Sequence, residues 1–555
     1  MTRNLLILFG IILLIQCQNP SNHPKAAVVS AREEASSIGL AILKQGGNAF
    51  DAMVATHLAL AVCYPNAGNI GGGGFLVYRN ADGTVGSLDF REKAPAAATE
   101  DMYLDAEGEV IPDKSTLGGL AVGVPGSIDG ILRIHEKLGS LPFVDLVQPA
   151  IDLAEKGFVV TEKQAESLAS KREEFILING INSRFSKTYQ VGDTIKNPEM
   201  AASLRRIQLT GRVGFYEGKT AQLIIDRLAE TEGIISLEDL KNYEAVWRDP
   251  HQFNYKDLAM ISMAPPSSGG LCLNQLFGMI EPYNIGQYDH NSIEAMQLMI
   301  EAERRSYADR SEYMGDPDFV TIPIDSLVDP AYLNRRMTSF NWNKPTLSSE
   351  IKAGKIQWEE SDETTHYSIL DQNGNAVAVT TTLNGSYGSK VYVEAGGFFL
   401  NNEMDDFSSK PGTPNMFGMI GNKANAIAPG KRMLSSMTPT IVEKDGTLWM
   451  ILGTPGGSTI ITSVFQTILN VYEFGMDMQA AVEAPRFHHQ WLPDLVELEP
   501  GRFTKEQIQS LKEKNYPIEE KEPRIIGRVD AILVSKEGII STGSDPRGDD
   551  AAAIW

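Results

Sequence analysis

A pair of threonines opens a strand-like segment in the last third of the chain. Residues 359–368 read EESDETTHYS, so an acidic run ends at Thr364 and gives way to an apolar alternation. A threonine hydroxyl is a weak nucleophile unless a base lies beside it, and a free α-amine on the same residue can be that base. Two interpretations follow: an ordinary junction between loop and strand, or cleavage of the Glu363–Thr364 bond to create an N-terminal nucleophile.

Two further motifs could bind a small molecule that carries both a negative and a positive charge. Arg91, in DFRE, can present two parallel N–H donors to a carboxylate. Asp406, in NNEMDDF (401–407), offers a negative charge to an ammonium group. Taken alone, the first motif is typical of a surface ion pair and the second of a solvated acidic turn.

A glycine pair could stabilise a negatively charged intermediate. Gly456 and Gly457 lie in GTPGGS (453–458), and the lack of side chains lets the backbone approach a reacting group closely. Removing one backbone donor from such a site costs on the order of 3 kcal/mol of transition-state stabilisation. In isolation, a simple turn is the commoner meaning of this pattern.

The composition indicates a globular protein and excludes one class of partner. The chain has 555 residues, of which 42% are hydrophobic and 22% charged. A net charge of −22 argues against nucleic acid as a partner, because phosphate binding requires a basic surface. Cys63 and Cys272 lie in apolar stretches and are expected to be buried, and the sequence shows no spacing typical of metal ligands.

The N-terminal residues predict export. Arg3 precedes LLILFGIILLI (5–15), which is too short to span a membrane and has the length of a signal-peptide core. LIQC (14–17) resembles a lipobox, which would place a lipid anchor on Cys17, but Gln16 departs from that motif and lipidation stays open. We therefore expect a signal peptide over 1–17 and a periplasmic protein or membrane-anchored lipoprotein.

Sequence patterns predict both helices and strands, in layers. Residues 31–63 read as two helices that are broken at Gly46-Gly47, and residues 68–80 and 83–92 read as strands. A mostly helical part follows over 120–240 and again over 291–313. This mixture predicts a layered α/β or α+β protein.

The remaining patterns concern hairpins and irregular segments. Turns at Asn373-Gly374 and Asp445-Gly446 each predict a β-hairpin. Residues 263–270, MAPPSSGG, predict a loop, and residues 340–363 have the composition of a solvated, mobile segment. The C-terminal part is therefore expected to be rich in sheet.

Eight motifs in sequence order resemble the gamma-glutamyltransferase (gamma-glutamyltranspeptidase) family, from about residue 26 to the end of the chain. They are AGNIGGGGF (67–75), DFREKAP (89–95), YADRSEYMGDPDF (307–319), TTHYS (364–368), NNEMDDF (401–407), LSSM (434–437), GTPGGS (453–458) and PRFHHQWLPD (485–494). The resemblance implies the N-terminal-nucleophile hydrolase fold, an α+β four-layer αββα sandwich. It also implies that one precursor cuts itself into a large subunit (18–363) and a small subunit (364–555), which stay together as a heterodimer.

The resemblance also assigns roles to residues. Thr364 matches the nucleophile, with Thr365 its rival by adjacency, and Thr382 matches a threonine that assists it. Gly456 and Gly457 match the oxyanion hole. The substrate-binding positions are Arg91, Asn384, Glu403, Asp406, Ser435 and Ser436. Residues 408–433 resemble a lid over the pocket, with Phe417 at the position of an aromatic gate.

The implied activity is cleavage of the gamma-glutamyl bond of glutathione and related gamma-glutamyl amides. The group would pass through an ester on Thr364 to water or to an amino acid or dipeptide acceptor, without cofactor or metal. Two alternatives stay open. One is a relative that acts on cephalosporin side chains or poly-gamma-glutamate, and the other is a surface lipoprotein that keeps the fold as a binding module without cleaving itself.

Overall fold

The computed structural model describes residues 24–351, 364–410, 412–413, 415–416, 418–520 and 525–555. The helices are α1 (Glu33–Lys44), α2 (Ala49–Cys63), α3 (Ser127–Leu138), α4 (Phe143–Lys156), α5 (Glu162–Ser170), α6 (Arg172–Asn179), α7 (Pro198–Thr210), α8 (Val213–Tyr216), α9 (Gly218–Glu230), α10 (Leu237–Lys241), α11 (Gly269–Ile280), α12 (Ile293–Tyr313), α13 (Ile324–Leu327), α14 (Pro330–Arg336), α15 (Thr459–Tyr472), α16 (Met478–Glu483) and α17 (Lys505–Glu513). The strands are β1 (Ala27–Ser30), β2 (Gly73–Arg79), β3 (Val85–Asp89), β4 (Phe158–Val159), β5 (Thr194–Ile195), β6 (Val246–Arg248), β7 (His251–Tyr255), β8 (Leu258–Ser262), β9 (Thr365–Leu370), β10 (Ala376–Thr382), β11 (Tyr392–Val393), β12 (Phe398–Phe399), β13 (Thr440–Lys444), β14 (Thr447–Gly453), β15 (Phe487–His488), β16 (Val496–Leu498), β17 (Ile518–Glu519), β18 (Asp530–Val534), β19 (Ile540–Gly543) and β20 (Ala551–Ile554).

Two antiparallel sheets form the centre of the molecule. One has seven strands in the order β20-β1-β9-β10-β2-β3-β6, and the other has six in the order β19-β18-β14-β13-β8-β7. In the first sheet, strands from the N-terminal part, the middle and the C-terminal end of the chain alternate as neighbours. The predicted hairpins are confirmed, because β9 pairs with β10 and β13 pairs with β14.

Alternation along the strands divides the apolar side chains into layers. On β10, Val377 and Val379 belong to the core beneath the helices, whereas Ala376 and Ala378 belong to the core between the sheets. On β14, Ile451 faces the space between the two sheets. Its neighbours Met450 and Leu452 face the helices on the opposite side of the six-stranded sheet. The molecule is therefore a helix–sheet–sheet–helix sandwich, and the predicted αββα arrangement is confirmed.

Local sequence signals account for the predicted helix break. α1 ends at Lys44, and α2 starts after Asn48, whose side chain accepts from the backbone N–H groups of Phe50 and Asp51. Asp51 in turn accepts from the backbone N–H of Asn48, which completes a capping box.

Within the described part of the chain, no helix is both long and apolar enough to cross a membrane.

Two predictions about irregular segments need correction. The loop predicted over 263–270 is shorter, because α11 already begins at Gly269, in a first turn where glycine is tolerated. Residues 340–351 of the predicted solvated segment are only partly exposed: Phe340 and Trp342 pack against the helices beside the six-stranded sheet, and Ser348 is buried. Their polar composition hides this packing because their partners lie far away in sequence. The rest of that segment, 352–363, lies outside the described residues.

Candidate active site

Loops from the same end of both sheets meet at one place. In the seven-stranded sheet, β3 ends at Asp89, β9 begins at Thr365 and β10 ends at Thr382. In the six-stranded sheet, the last residue of β8, Ser262, pairs with the first residue of β13, Thr440. The motifs with predicted chemistry lie just beyond these strand ends, so the sandwich brings them together from distant parts of the sequence.

A pocket of about 250 Å³ of empty space lies between these loops. It is lined by all the predicted catalytic and binding residues except Gly456, namely Arg91, Thr364, Thr382, Asn384, Glu403, Asp406, Ser435, Ser436 and Gly457. Met419, Met437 and Ile460 add an apolar part to the wall. Such a pocket suits a small molecule that is charged at one end.

The strand alternation separates the two candidate nucleophiles. Thr364 directly precedes β9 and lines the pocket. Thr365 faces away from it by the alternation of the strand, and its buried hydroxyl finds no partner among the described residues. β9 has a neighbour on each side, β1 and β10, so Thr364 stands at the end of a strand that is held on both edges.

The histidine nearest to Thr364 in sequence is not available as its base. Nδ1 of His366 is 2.9 Å from Oγ1 of Thr380, and Nε2 is 3.1 Å from Oγ of Ser368. Burial lowers the pKa of His366 to about 3, so the ring is neutral. Both ring nitrogens are therefore already engaged by hydroxyl groups.

Thr382 and Asn384 form the wall beside Thr364. The backbone N–H of Asn384 donates to Oγ1 of Thr382 at 2.7 Å, in a turn where Asn384 has a φ of 71°. The side-chain amide of Asn384 donates to the carbonyl of Asn402 at 3.0 Å, which ties this turn to the acidic motif. A contact from Thr382 to the nucleophile stays a prediction.

Arg91 joins the acidic motif inside the protein. Its two terminal nitrogens donate to Glu403 and to Asp406, and its Nη1 lies 3.7 Å from Glu92. Arg91 and Glu403 are both buried, so this is not a surface ion pair and NNEMDDF is not a solvated turn. Those two simpler interpretations of the sequence are wrong.

The three carboxyl groups around Arg91 bind protons more tightly than usual. Burial raises the pKa of Glu92 to about 8 against the opposing effect of Arg91, and burial also raises the pKa of Glu403 and of Asp406. Both side-chain oxygens of Glu92 lack a hydrogen-bond partner among the described residues. A Cβ on Gly73 would lie 2.6 Å from Oε2 of Glu92, so glycine is needed where this carboxyl group is packed.

The two serines are supported by the loop that follows β8. The backbone N–H of Ser435 donates to the carbonyl of Pro266 at 3.0 Å, and the backbone N–H of Ser268 donates to the carbonyl of Ser435 at 2.8 Å. Oγ of Ser435 accepts from the backbone N–H of Met437 at 3.1 Å. Backbone contacts to the loop after β8 thus hold Ser435 in place.

The glycine pair lies between β14 and α15. Gly456 has a φ of 133° and Gly457 a φ of 52°, values that side chains disfavour. α15 begins two residues later, at Thr459, so the positive end of a 14-residue helix is near the pocket. Gly457 lines the pocket and Gly456 lies one residue behind it, a position that suits stabilisation of negative charge.

The chain matches the gamma-glutamyltranspeptidase family over residues 35–555. A glutathione hydrolase proenzyme of Escherichia coli (strain K12) is 43% identical over 537 residues, which cover 96% of this chain and 92% of that protein. This chain belongs to the gamma-glutamyltranspeptidase family.

Solved structures agree with this membership. The gamma-glutamyltranspeptidase of Helicobacter pylori is 42% identical with a TM-score of 0.57, and the match covers 59% of this chain and 94% of that chain. A cephalosporin acylase from Bacillus halodurans has a TM-score of 0.83 over 96% of both chains at 24% identity, a level that shows a shared fold alone.

Described residues of the segment predicted as a lid contact the acidic motif and the pocket wall. The side chain of Asn415 donates to Asp406 at 3.1 Å, and the backbone N–H of Met416 donates to Asp405 at 2.7 Å. Met419 reaches the pocket wall itself. Phe417, the predicted gate, lies outside the described residues, as do Glu363, Cys17 and the predicted signal peptide.

The sequence motifs assigned no role to two charged residues near the site. Glu92 follows Arg91 directly, and Arg310 lies within YADRSEYMGDPDF on α12. Both are buried. An arginine inside a helix segment that also carries apolar residues is the signal that could have pointed to Arg310.

Proposed function

We propose that this protein is a self-processing gamma-glutamyltransferase that acts on glutathione and related gamma-glutamyl amides, with Thr364 as its nucleophile. One observation carries the proposal: a single pocket holds Thr364 together with Arg91, Asp406 and the pair Ser435-Ser436. Family membership supports the same activity.

Cleavage of the Glu363–Thr364 bond creates the base that the nucleophile needs. In the intact chain the nitrogen of Thr364 is an amide, which cannot accept a proton. As a free amine it has an ordinary pKa of about 7.7–8.0, which is suited to general base catalysis near neutral pH. His366 cannot replace it, because both of its ring nitrogens are engaged.

The catalytic cycle uses an ester intermediate. Thr364 Oγ1 attacks the γ-carbonyl carbon while the α-amine takes the hydroxyl proton, and the Gly456-Gly457 loop stabilises the oxyanion. Collapse of this intermediate passes the proton to the departing amine and leaves a gamma-glutamyl ester on Thr364. Water or the amine of an amino acid or dipeptide then attacks the ester, which releases glutamate or a new gamma-glutamyl amide.

The ion pairs around Arg91 suit a substrate end that carries both charges. The substrate α-carboxylate would replace the carboxylates now bound to Arg91, and its α-ammonium would take the place of the guanidinium beside Asp406 and Glu403. Hydroxyl groups of Ser435 and Ser436 would complete the carboxylate site, and Asn384 the ammonium site. Each buried charge then exchanges one partner for another, so none is left unpaired.

Sheet topology supports the proposal that the large (18–363) and small (364–555) subunits stay together. β9 and β10 of the small subunit lie between β1 and β2 of the large subunit, and β20 covers the far edge of β1. Separation would break backbone hydrogen bonds along several strands. The lid over 408–433 would then limit access of water to the ester.

Export belongs to the proposal as well, and it rests on residues 1–17 alone. The apolar core over 5–15 supports a cleaved signal, whereas a lipid on Cys17 would require cleavage directly before that cysteine. The mass of the N-terminal peptide from the native host separates the two outcomes, because a diacylglyceryl group adds several hundred daltons to Cys17.

The direct test compares two substrates with the purified protein. We expect release of p-nitroaniline from gamma-glutamyl-p-nitroanilide, and negligible hydrolysis of a glutaryl-cephalosporin, which lacks the α-ammonium group. Thr364→Ala serves as the inactive control. Preference for the cephalosporin would favour the alternative activity, and an uncleaved protein without either activity would favour a binding module.

A further inference from the structure

Arg310 is a buried cation directly behind the substrate pocket. It lies near the C-terminal end of α12 and is only 4% exposed. Burial lowers its pKa, while the charge of Asp406 favours its protonated form. Two serine hydroxyl groups accept hydrogen bonds from its guanidinium, so this charge is held by neutral groups next to a charged pocket.

The hydrogen bond to Ser436 fixes the direction in which that serine can donate. Nη2 of Arg310 donates to Oγ of Ser436 at 3.1 Å. A guanidinium group has no acceptor, so the hydroxyl hydrogen of Ser436 must point elsewhere. It points to the sulfur of Met419 at 3.5 Å, a weak acceptor on the wall of the pocket. A carboxylate in the pocket would be a much stronger acceptor for the same hydrogen.

A second contact fixes the backbone of the serine pair. Nε of Arg310 donates to Oγ of Ser268 at 2.8 Å, and Oγ of Ser268 donates to the carbonyl of Ser435 at 2.7 Å. Hydrogen bonds in such a chain polarise one another. Arg310 thus contacts one serine directly and holds its neighbour through Ser268.

We propose that Arg310 is a positioning residue that makes Ser436 a donor toward the α-carboxylate of the substrate, and so determines the preference for substrates that carry this group. Arg310 does not line the pocket and acts through Ser435 and Ser436. The inference rests on the proposed function, because it assumes that the α-carboxylate binds at the serine pair.

The experiment measures discrimination between two anilides. Gamma-glutamyl-p-nitroanilide carries the α-carboxylate, and 4-aminobutyryl-p-nitroanilide is the same molecule without it. For Arg310→Met we expect kcat/KM for the first substrate to fall about 10- to 100-fold, the range for losing a hydrogen bond to a charged group. The loss should be mainly in KM, and kcat/KM for the second substrate should change by less than about threefold.

A double-mutant cycle tests whether the effect passes through Ser436. Ser436→Ala should lower the ratio of the two kcat/KM values by a similar factor. In the combined variant, Arg310→Met should add little to the loss, because both changes remove one hydrogen bond. Arg310→Lys should restore part of the ratio, since it keeps a donor and the charge. Arg305→Met, five residues earlier on the same helix, is the control and should leave the ratio unchanged.

Failure of the role proposed for Arg310 can be distinguished from failure of the proposed function. A wild-type protein that does not release p-nitroaniline from the glutamyl substrate would refute the proposed function. An active wild type with an unchanged ratio in Arg310→Met would overturn the role of Arg310. If this variant is not cleaved, Ser268→Ala replaces it. A ratio lowered about threefold or more then supports the inference, and an unchanged ratio overturns it.

Discussion

Two buried arginines, Arg305 and Arg91, lie in clusters that differ in how completely their polar groups are hydrogen-bonded by other groups of the protein. The partners of Arg305 are the side chain and carbonyl of Glu301, the carbonyl of Arg336, and the hydroxyl groups of Ser339 and Thr346. Thr346 in turn donates its backbone N–H to Glu301 at 3.1 Å. We call this cluster closed because all three guanidinium nitrogens of Arg305 have partners, and these contacts hold Arg336, Ser339 and Thr346 against α12.

Arg91 lies in a cluster that is left open. Its partners Glu403 and Asp406 line a pocket, and Oε2 of Glu403 and both side-chain oxygens of nearby Glu92 lack hydrogen-bond partners among the described residues. Burial raises the pKa values of the three carboxyl groups, against the opposing effect of the one guanidinium that they surround. The comparison teaches that a buried ion pair stabilises the fold when it is closed, and can bind a ligand when exchangeable charges face a cavity.

Among the predicted changes, removal of the Arg91 charge from the open cluster should have the largest effect. For Arg91→Met we expect kcat/KM for gamma-glutamyl-p-nitroanilide to fall about 10³-fold, within the range for truncating one partner of a buried charge pair. The midpoint of thermal unfolding should change little, because the carboxyl groups left behind can take up protons. Steady-state kinetics and a thermal scan of the same preparation check both parts. A large loss of stability with retained kcat/KM would reverse our assignment of the two clusters.

The closed cluster should respond in the opposite way. Arg305→Met leaves the charge of Glu301 buried with fewer partners, and should lower the free energy of unfolding by about 3–5 kcal/mol. The cleaved, folded fraction should keep kcat/KM within about twofold of the wild type. Denaturant titration measures the first quantity. A substantial loss of activity in correctly folded Arg305→Met would show that the cluster does more than hold the fold.

Glu92 should make stability depend on pH. Its pKa is raised to about 8 in the folded protein, above the value of about 4.3 for a free glutamate, so the folded state binds more protons between these values. Stability therefore falls as pH rises through this window, by up to about 1.4 kcal/mol per pH unit. Glu92→Gln should flatten this slope.

We suggest measuring this slope in the Thr364→Ala background, where one uncleaved chain unfolds. Thermal midpoints at pH 5.5 and 7.5, with and without Glu92→Gln, give the comparison directly. If the two proteins, with and without Glu92→Gln, show the same pH dependence, Glu92 is ionised throughout the window. That result would contradict its burial without a hydrogen-bond partner.

The smallest expected effect concerns the rival nucleophile. The hydroxyl of Thr365 is buried without a partner among the described residues, so Thr365→Val should raise the free energy of unfolding by about 1 kcal/mol. Cleavage and kcat/KM should be unchanged, because this side chain faces away from the pocket. Loss of cleavage in Thr365→Val would place Thr365 in the processing reaction after all.

Local patterns were sufficient for the hairpins, and the family motifs for most of the site. The Asn373-Gly374 turn and the capping residue Asn48 act over a few positions, so their structures follow from the sequence nearby. Family motifs identified nine residues that line the pocket. Without the resemblance, several of these motifs would be interpreted as a surface ion pair or as simple turns. Resemblance supplied the long-range information that local chemistry lacks.

Long-range contacts explain what could not be predicted. Ser348 is held by the carboxylate of Asp494, which accepts from its backbone N–H at 2.8 Å across 146 positions of sequence. No local pattern in 340–351 signals that partner. The contact between Arg310 and Ser436 spans 126 positions, so its role became visible only when the sandwich brought the two motifs together.

The central claim is that Thr364 becomes the first residue of a new chain. Intact-mass analysis of the purified protein tests it most directly, with wild type and Thr364→Ala measured side by side. We expect a wild-type fragment whose mass equals that of residues 364–555, and a single uncleaved chain in the variant. A fragment that begins at another residue, or an uncleaved wild type that still hydrolyses gamma-glutamyl amides, would contradict the account.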